Sequence, residues 1–418
     1  MAIAAALDLG TIVPPGATLA WGEGAAEPRT LLAALAAQRD RLRGRRVLFG
    51  LSAGGLDLLG TADDLELVSY GGLGNGAALH RSGRLQVLPC HMSALVRMVE
   101  AGQVRADVVM AQVSPPGPDG RCSLGVTAGY LVPLLRHAPV AIAEINQQMP
   151  VTCGDTTVPL DRFHLVVEAS YPLPELAGAS PSAADEQLAE HVAPLVPDGA
   201  VLQVGIGSVL GAVVRGLRDH RDLGIHSGLL SDELVGLIES GVVTNAAKER
   251  DPGVTVAALA LGSRRVYDFV ADNPLVQLRS AAYTHDAQVL ASFGTFVALN
   301  SAVEVDLTGQ ADAEVVGGVH TGAVGGLADF SRAAAAAPRG RSVLVLRSTA
   351  RQDTVSRIVP RLTSGVVTLP RSDVDTVVTE YGVAELRDAT LTERARRLAA
   401  IAHPAFRDQL MRTLSWPA

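Results

Sequence analysis

The sequence predicts an α/β protein with mostly parallel sheets, organised as two units in tandem. Three observations carry that reading. "RRVLFGL" (45–51), "ADVVMAQV" (106–113) and "APVAIAEI" (138–145) are continuous apolar runs of strand length. A strand without a polar face is buried on both sides, as in a parallel sheet covered by helices. Between such runs lie Ala/Leu-rich segments of helical period. At 418 residues and 48% hydrophobic content, the chain is too long for one ordinary core.

In chain order, "EPRTLLAALAAQRDRL" (27–42) has helical period, with Pro28 near the start where a helix tolerates it. Around 172–188 the sequence turns rich in Pro, Ala and Ser and loses its periodicity. The boundary is placed there, giving an N-terminal domain over 1–180 and a C-terminal domain over 181–418. The pattern restarts with a helix, "ADEQLAEHVAPLV", and a strand, "AVLQVGIG". Further strands are expected at "RVYDFV", "VLVLRS", "GVVTLP" and "TVVTEYG", and a short helix at "SRAAAAAP".

Composition narrows the function classes. The net charge is −8, with no basic clustering of the kind that binds nucleic acid. Lys248 is the only lysine, which argues against a Schiff base or a lysine-anchored cofactor. Cys90, Cys122 and Cys153 are scattered without CxxC spacing, so neither a disulfide framework nor a structural metal site is expected. The N-terminus reaches Asp8 and Pro14-Pro15 without a basic leader, and no run approaches the length of a membrane span. The expectation is a soluble, cytoplasmic protein without membrane or nucleic-acid partners. Its high hydropathy suggests a homo-oligomer, expected to be a dimer.

Glycine clusters mark the candidate site. "VLQVGIGSVLGAVV" (201–214) reads as strand, tight turn and helix. Leu210 stands where the dinucleotide fingerprint would have its third glycine, so that fingerprint is incomplete. The turn either packs or presents backbone amides to an anion. "GGVHTGAVGGLADF" (317–330) holds five glycines between Gly317 and Gly326. Glycine costs conformational entropy, so such a run favours close backbone approach to a ligand or a nest of N–H groups over packing. "SYGGLGNGAALH" (69–80) is a weaker case of the same kind.

With these stretches assembled, the sequence resembles the family of acetyl-CoA hydrolases and 4-hydroxybutyrate-type CoA-transferases. "GEGAAEPRTLLAAL" (22–35), "SPPGPDGRCSLGVTAGY" (114–130) and "EINQQMPVTCGD" (144–155) carry the resemblance in the first half. "PDGAVLQVGIGSV" (197–209), "LGIHSGLLSDELVGLIESGVVTN" (223–245), "NSAVEVDLTGQ" (300–310), "TGAVGGLADF" (321–330), "VVTEYGVAELR" (377–387) and "IAHPAFRDQL" (401–410) carry it in the second. The resemblance implies two tandem CoA-transferase-like (NagB/RpiA-like) α/β domains with the active site between them. It implies an acyl-CoA substrate, no metal, and a small acceptor: a carboxylate, water or another nucleophile. Family members use a glutamate that is converted to a glutamyl-CoA thioester, a form of covalent catalysis. Carried onto this sequence, the oxyanion donors are Val204 and Gly322. CoA or substrate contacts fall on Gln203, Gly205, Gly207, Asn300, Glu304, Gly325, Gly326 and Tyr381.

One position departs from the family pattern. Its nucleophilic glutamate follows a His-Ser or His-Thr pair in a turn at a strand end, and the aligned residues here are His226-Ser227-Gly228. The carboxylate is missing. His226 is the nearest candidate base, or an orienter of the loop. Ser227 is a weak candidate nucleophile, or a cap for the next helix. Glu380 is a candidate base or orienter, or part of a structural ion pair. The leading reading is an enzyme acting on an acyl-CoA thioester, by hydrolysis or acyl transfer, without a glutamyl-CoA intermediate. The alternatives are an ordinary transferase using another carboxylate and a non-catalytic acyl-CoA binding or partner subunit. "GYLVPLLRHAP" (129–139) hints at an apolar acyl group, or is core packing.

Overall fold

The apolar runs become the inner strands of two sheets. The computed structural model describes residues 7–59, 64–176 and 180–413. The apolar N-terminal run and the middle of the stretch read as the domain boundary lie outside the described residues. In chain order, the first half supplies β1 (Thr18–Trp21), β2 (Arg46–Phe49), β3 (Glu66–Ser69), β4 (Leu85–Val87), β5 (Val108–Val113), β6 (Val140–Asn146), β7 (Cys153–Gly154) and β8 (Leu165–Ala169). All but β7 form a seven-stranded parallel sheet in the order β8-β6-β5-β1-β2-β3-β4. Every residue of β5 is buried, and Gln112, its one polar residue, donates to the Glu27 carbonyl.

The second half supplies β9 (Val201–Val204), β10 (Gly224–Leu230), β11 (Thr255–Ala260), β12 (Val276–Leu278), β13 (Phe296–Ser301), β14 (Arg341–Val345), β15 (Thr376–Thr379) and β16 (Gly382–Glu385). With β7 they form a nine-stranded sheet in the order β16-β15-β14-β13-β9-β10-β11-β12-β7. Only the β15–β16 hairpin is antiparallel. The first half therefore completes the edge of the second sheet. It also lays residues 126–129 along β11: Ala128 and Gly129 donate to the Ala258 carbonyl, and Ala260 donates to that of Val126.

The helices form where period and capping agree. Helix α1 (Arg29–Ala37) buries Leu31, Leu32 and Leu35. Helix α2 (Ala183–Val192) starts at a capping box, with Ser182 accepting from the Asp185 amide and the Asp185 carboxylate returning the bond. Helices α3 (Ser208–Gly216) and α4 (Asp232–Glu239) follow β9 and β10. Two expected strands are absent. "RVYDFV" is helix α5 (Arg264–Val270), because Val266, Tyr267 and Val270 are buried at helical spacing. "GVVTLP" stays irregular: Gly365 has φ +74°, Val367 is exposed, and Leu369 alone bridges to Ala311. "SRAAAAAP" ends helix α6 (Leu327–Ala336). "GYLVPLLRHAP" is a helix whose Leu131, Leu134 and Leu135 are core.

Gly154 is where the shared sheet edge is most sensitive. It has φ +111°, and a Cβ there would stand 2.3 Å from the Leu278 carbonyl oxygen on β12. Gly154→Val should cost about 2 kcal/mol or more, read as the shift of a urea unfolding midpoint. Gly120→Ala is the control: its φ is +72°, but nothing lies within 4 Å of the added atom. It should cost only about 1 kcal/mol of backbone strain.

Candidate active site

The carboxyl ends of the strands in both sheets point toward one cleft of about 420 Å³. Glu23 follows β1, Leu51 follows β2 and Tyr70 follows β3; from the second half come Gln203 to Ile206, Gly228, Ala258, Asn300 and Ser301. Open α/β sheets bind ligands at these strand ends.

The glycine-rich stretches build one wall of the cleft as a seam between the halves. Gly72 donates to the Gly322 carbonyl at 2.8 Å, and Met92 donates to that of Gly325. The backbones come so close that a Cβ on Gly72 would stand 2.0 Å from His320 O, and one on Gly71 2.6 Å from Gly322 O. Here glycine is required by backbone-to-backbone contact. Both clusters, 69–80 and 317–330, serve the same seam, and Gly322, Gly325 and Gly326 line the cleft.

His226, Ser227 and Gly228 do not form a turn at a strand end. They lie within β10, paired in register with β11, and the chain leaves the strand at Ser231. Alternation then separates their roles. The Ser227 hydroxyl is fully buried; it accepts from the Val204 amide and donates to the Val204 carbonyl, tying β10 to β9. It caps no helix and faces no substrate. His226 is equally buried, with Nε2 on the Thr284 carbonyl and Nδ1 without a partner. Burial, with Lys248 nearby, pushes its pKa down to about 3, so it stays neutral below the floor of the cleft. Gly228 does reach the cleft. A Cβ there would meet only His285 Nε2 at 3.6 Å and Phe330 at 3.7 Å, so the strand has room for a side chain that it does not carry.

The expected oxyanion donors are already engaged. The Val204 amide is held by Ser227, and the Gly322 amide donates to the Glu314 carbonyl at 3.0 Å. Gly205 N–H likewise bonds to Leu299 O. The available donors are side chains instead. Gln203 and Asn300 exchange two amide hydrogen bonds, at 3.1 and 2.9 Å. Each nitrogen keeps a second N–H with no partner among the described residues, and both side chains line the cleft. Gly207 holds the first turn of α3 with φ +141° but does not line the cleft.

Glu304, Glu380 and Tyr381 lie away from the cleft lining. Glu380 accepts from the amide and hydroxyl of Ser348. Glu304 is bound by Thr363. Tyr381 is partly exposed, with Arg407 over its ring.

Two groups that sequence reasoning did not select stand in the cleft. Glu23 is 3% exposed; its Oε2 accepts from the Tyr70 hydroxyl at 2.6 Å and from Leu51 N–H. Burial pushes its pKa up, opposed by those two donors. His285 offers Nε2 toward Gly228, while its Nδ1 meets the Thr284 hydroxyl at 2.8 Å. Burial pushes its pKa down to about 4, so the imidazole is neutral at pH 7. No spacing in the sequence ties Glu23, Gly228 and His285 together; the packing of residues 281–285 beside β10 brings His285 to Gly228, and the packing of the two halves adds Glu23. No group of three or more His, Cys, Asp or Glu among the described residues could hold a metal ion. No helix among them is long and apolar enough to cross a membrane.

Comparison with known proteins agrees with this architecture. The acetyl-CoA hydrolase/transferase N-terminal domain matches residues 3–174, and the C-terminal domain of the same name matches residues 262–414. The 4-hydroxybutyrate coenzyme A transferase of Clostridium kluyveri is 40% identical over 331 residues, covering 79% of this chain and 77% of its own. An acetyl-CoA hydrolase of Yarrowia lipolytica is 30% identical over 330 residues, covering 73% of this chain and 59% of its own. The crystal structure of RipA from Yersinia pestis superposes with a TM-score of 0.91 at 34% identity, over 97% of this chain and 94% of the other.

The carboxyl of Glu27, one turn beyond Glu23, makes the site's packing sensitive to pH. Its Oε2 accepts from Ala53 and Gly55 amides, Oε1 is buried without a partner, and burial raises the pKa from 4.5 to about 7. The folded state thus holds a proton between those values that the unfolded chain releases. Its stabilisation is complete below about pH 4.5 and is lost as pH rises to about 7, by up to about 3 kcal/mol. Glu27→Gln, which mimics the protonated acid, should flatten that part of the stability profile between pH 5 and about 7.5, followed by urea unfolding.

Proposed function

Because the chain belongs to the acetyl-CoA hydrolase/transferase family, we propose that it cleaves an acyl-CoA thioester by direct attack, without a glutamyl-CoA intermediate. The acyl group passes to water or to another small nucleophile in the cleft between the two sheets. One observation carries the reading. The position that the resemblance assigns to the attacking glutamate is Gly228, which lines the cleft and bears no side chain. The surroundings that would bind a thioester are nevertheless present. The glycine seam walls the cleft, and the Gln203–Asn300 pair offers two fixed N–H groups for a developing oxyanion.

A second reading rests on Glu23, a carboxyl in the same cleft that could take the nucleophile's role in an ordinary CoA-transferase. Two features weigh against it. Burial favours its protonated form, which is a poor nucleophile. Its Oε2 is also held by Tyr70 and Leu51.

Incubation with acetyl-, butyryl-, succinyl- or benzoyl-CoA, followed by intact-mass and peptide mass spectrometry, separates the readings. Direct attack releases free CoA and leaves the protein unmodified. A CoA adduct on Glu23 would replace it with the ordinary transferase, and binding without turnover would leave a binding subunit. Gly228→Glu should gain the missing chemistry. Loss of a nucleophile within a catalytic unit costs about 10⁶ in kcat, so recovery of even part of it should raise CoA exchange from acetyl-CoA to butyrate about a hundredfold or more. The same variant should form a glutamyl-CoA adduct at 228.

A further inference from the structure

The direct-attack reading leaves one chemical question, which is what activates the nucleophile. We propose that His285 is the general base, taking a proton from the attacking group in the space beside Gly228. The geometry is specific. A Cβ on Gly228 would stand 3.6 Å from His285 Nε2, and one on Gly326 only 2.5 Å from it, so the edge of the ring lies against Gly326 and borders the space beside Gly228. Nε2 makes no hydrogen bond among the described residues, whereas Nδ1 is held by Thr284 Oγ1 at 2.8 Å. The Thr284 hydroxyl can give its own proton only to an acceptor, and the Ser280 carbonyl lies on that side at 3.5 Å. With the proton assigned to Nδ1, where Thr284 Oγ1 accepts it, Nε2 keeps a free lone pair at the lining of the cleft.

The surroundings suit a base that works as a neutral ring. The ring packs against Phe330 with centroids 4.5 Å apart. Asp329 on α6 favours the protonated ring, while His226 on β10 and burial disfavour it. Asp329 is itself fixed by the amide and hydroxyl of Ser93 from the first half. On its other side the imidazole borders an open groove of about 1020 Å³, with Arg97, Glu100, Asp286 and Arg332 among its lining.

The step balances without a further reactant. As the nucleophile's oxygen or nitrogen bonds to the thioester carbonyl carbon, its proton passes to Nε2. The tetrahedral intermediate then expels the CoA sulfur with the C–S electron pair, and the imidazolium returns the proton to that thiolate. Nothing is oxidised or reduced.

The test follows free thiol released from the four acyl-CoA probes, with water and with hydroxylamine as nucleophiles. General-base catalysis contributes about 10² to 10⁴ in rate, so His285→Gln should lower kcat by that factor with KM for acyl-CoA nearly unchanged. The wild-type rate should fall as pH drops through about 4, and this limb should be missing in the variant. Added imidazole should restore part of the rate to His285→Ala. Gly228→Ala, whose methyl meets nothing closer than 3.6 Å, keeps the base but fills the nucleophile's space. It should lose a comparable factor, and it serves if the histidine variants do not fold. Thiol release without adduct, unchanged in His285→Gln and Gly228→Ala, would overturn the role of His285 while leaving direct attack standing. An adduct on Glu23, or no release from any probe, would overturn both.

Discussion

The site depends on a seam in which two backbones touch. Gly71 and Gly72 lie so close to the backbone of His320 and Gly322 that neither tolerates a Cβ, and the hydrogen bond from Gly72 to Gly322 joins loops about 250 residues apart. Met92 on Gly325 and Ser93 on Asp329 extend the same junction. Without it, the strand ends of one sheet would carry Glu23 and Tyr70, those of the other would carry Gly228 and Asn300, and neither would enclose a cleft. Hydrogen-bonded backbone is a stiff spacer, because a shift of either loop breaks bonds whose groups are then buried and unpaired.

A second constraint fixes what the cleft sees. The buried Ser227 hydroxyl binds both backbone groups of Val204 and so locks the register of β10 beside β9. Side-chain alternation does the rest. Ser227 faces one side of the sheet, and Gly228 faces the other, toward His285. The same lock occupies the Val204 amide, while the carboxamides of Gln203 and Asn300 keep N–H groups at the cleft. A residue read from the sequence as a possible nucleophile is thus a device for aiming its neighbour.

The sheets were legible because a strand buried on both faces has a composition that little else shares, as β5 and β6 illustrate. "RVYDFV" misled for the same reason in reverse: its apolar residues are β-branched and aromatic, but their spacing fits one face of a helix. The His-Ser-Gly stretch reads as a turn because polar residues and glycine usually punctuate strands. Within β10, Thr284 pairs with His226 Nε2 and Val204 pairs with the Ser227 hydroxyl. The glycine clusters announced close approach but not its object, which is backbone from the other half as well as the cleft. Glu23 and His285 were illegible. Each is ordinary in its local sequence; Glu23 shares the cleft through pairings such as Gly129 to Ala258, and His285 reaches Gly228 through the contact of Thr284 with His226, neither of which a local pattern encodes.

Charge, finally, separates this cleft from one that runs on a carboxylate. At pH 7 its imidazole is neutral, burial holds the Glu23 carboxyl toward its neutral form, and Gly228 brings no charge. An anionic acceptor entering such a cleft would lose its hydration with little to replace it. A neutral nucleophile loses far less and gains a base within reach. A glutamate at 228 would change the balance in the other direction, since its carboxylate would itself need the donors of Gln203 and Asn300. The missing side chain and the neutral imbalance of the cleft therefore belong together. Under the proposed direct attack, removing the carboxylate removes the need to stabilise a resident anion and leaves the fixed N–H groups free for an oxyanion on the thioester.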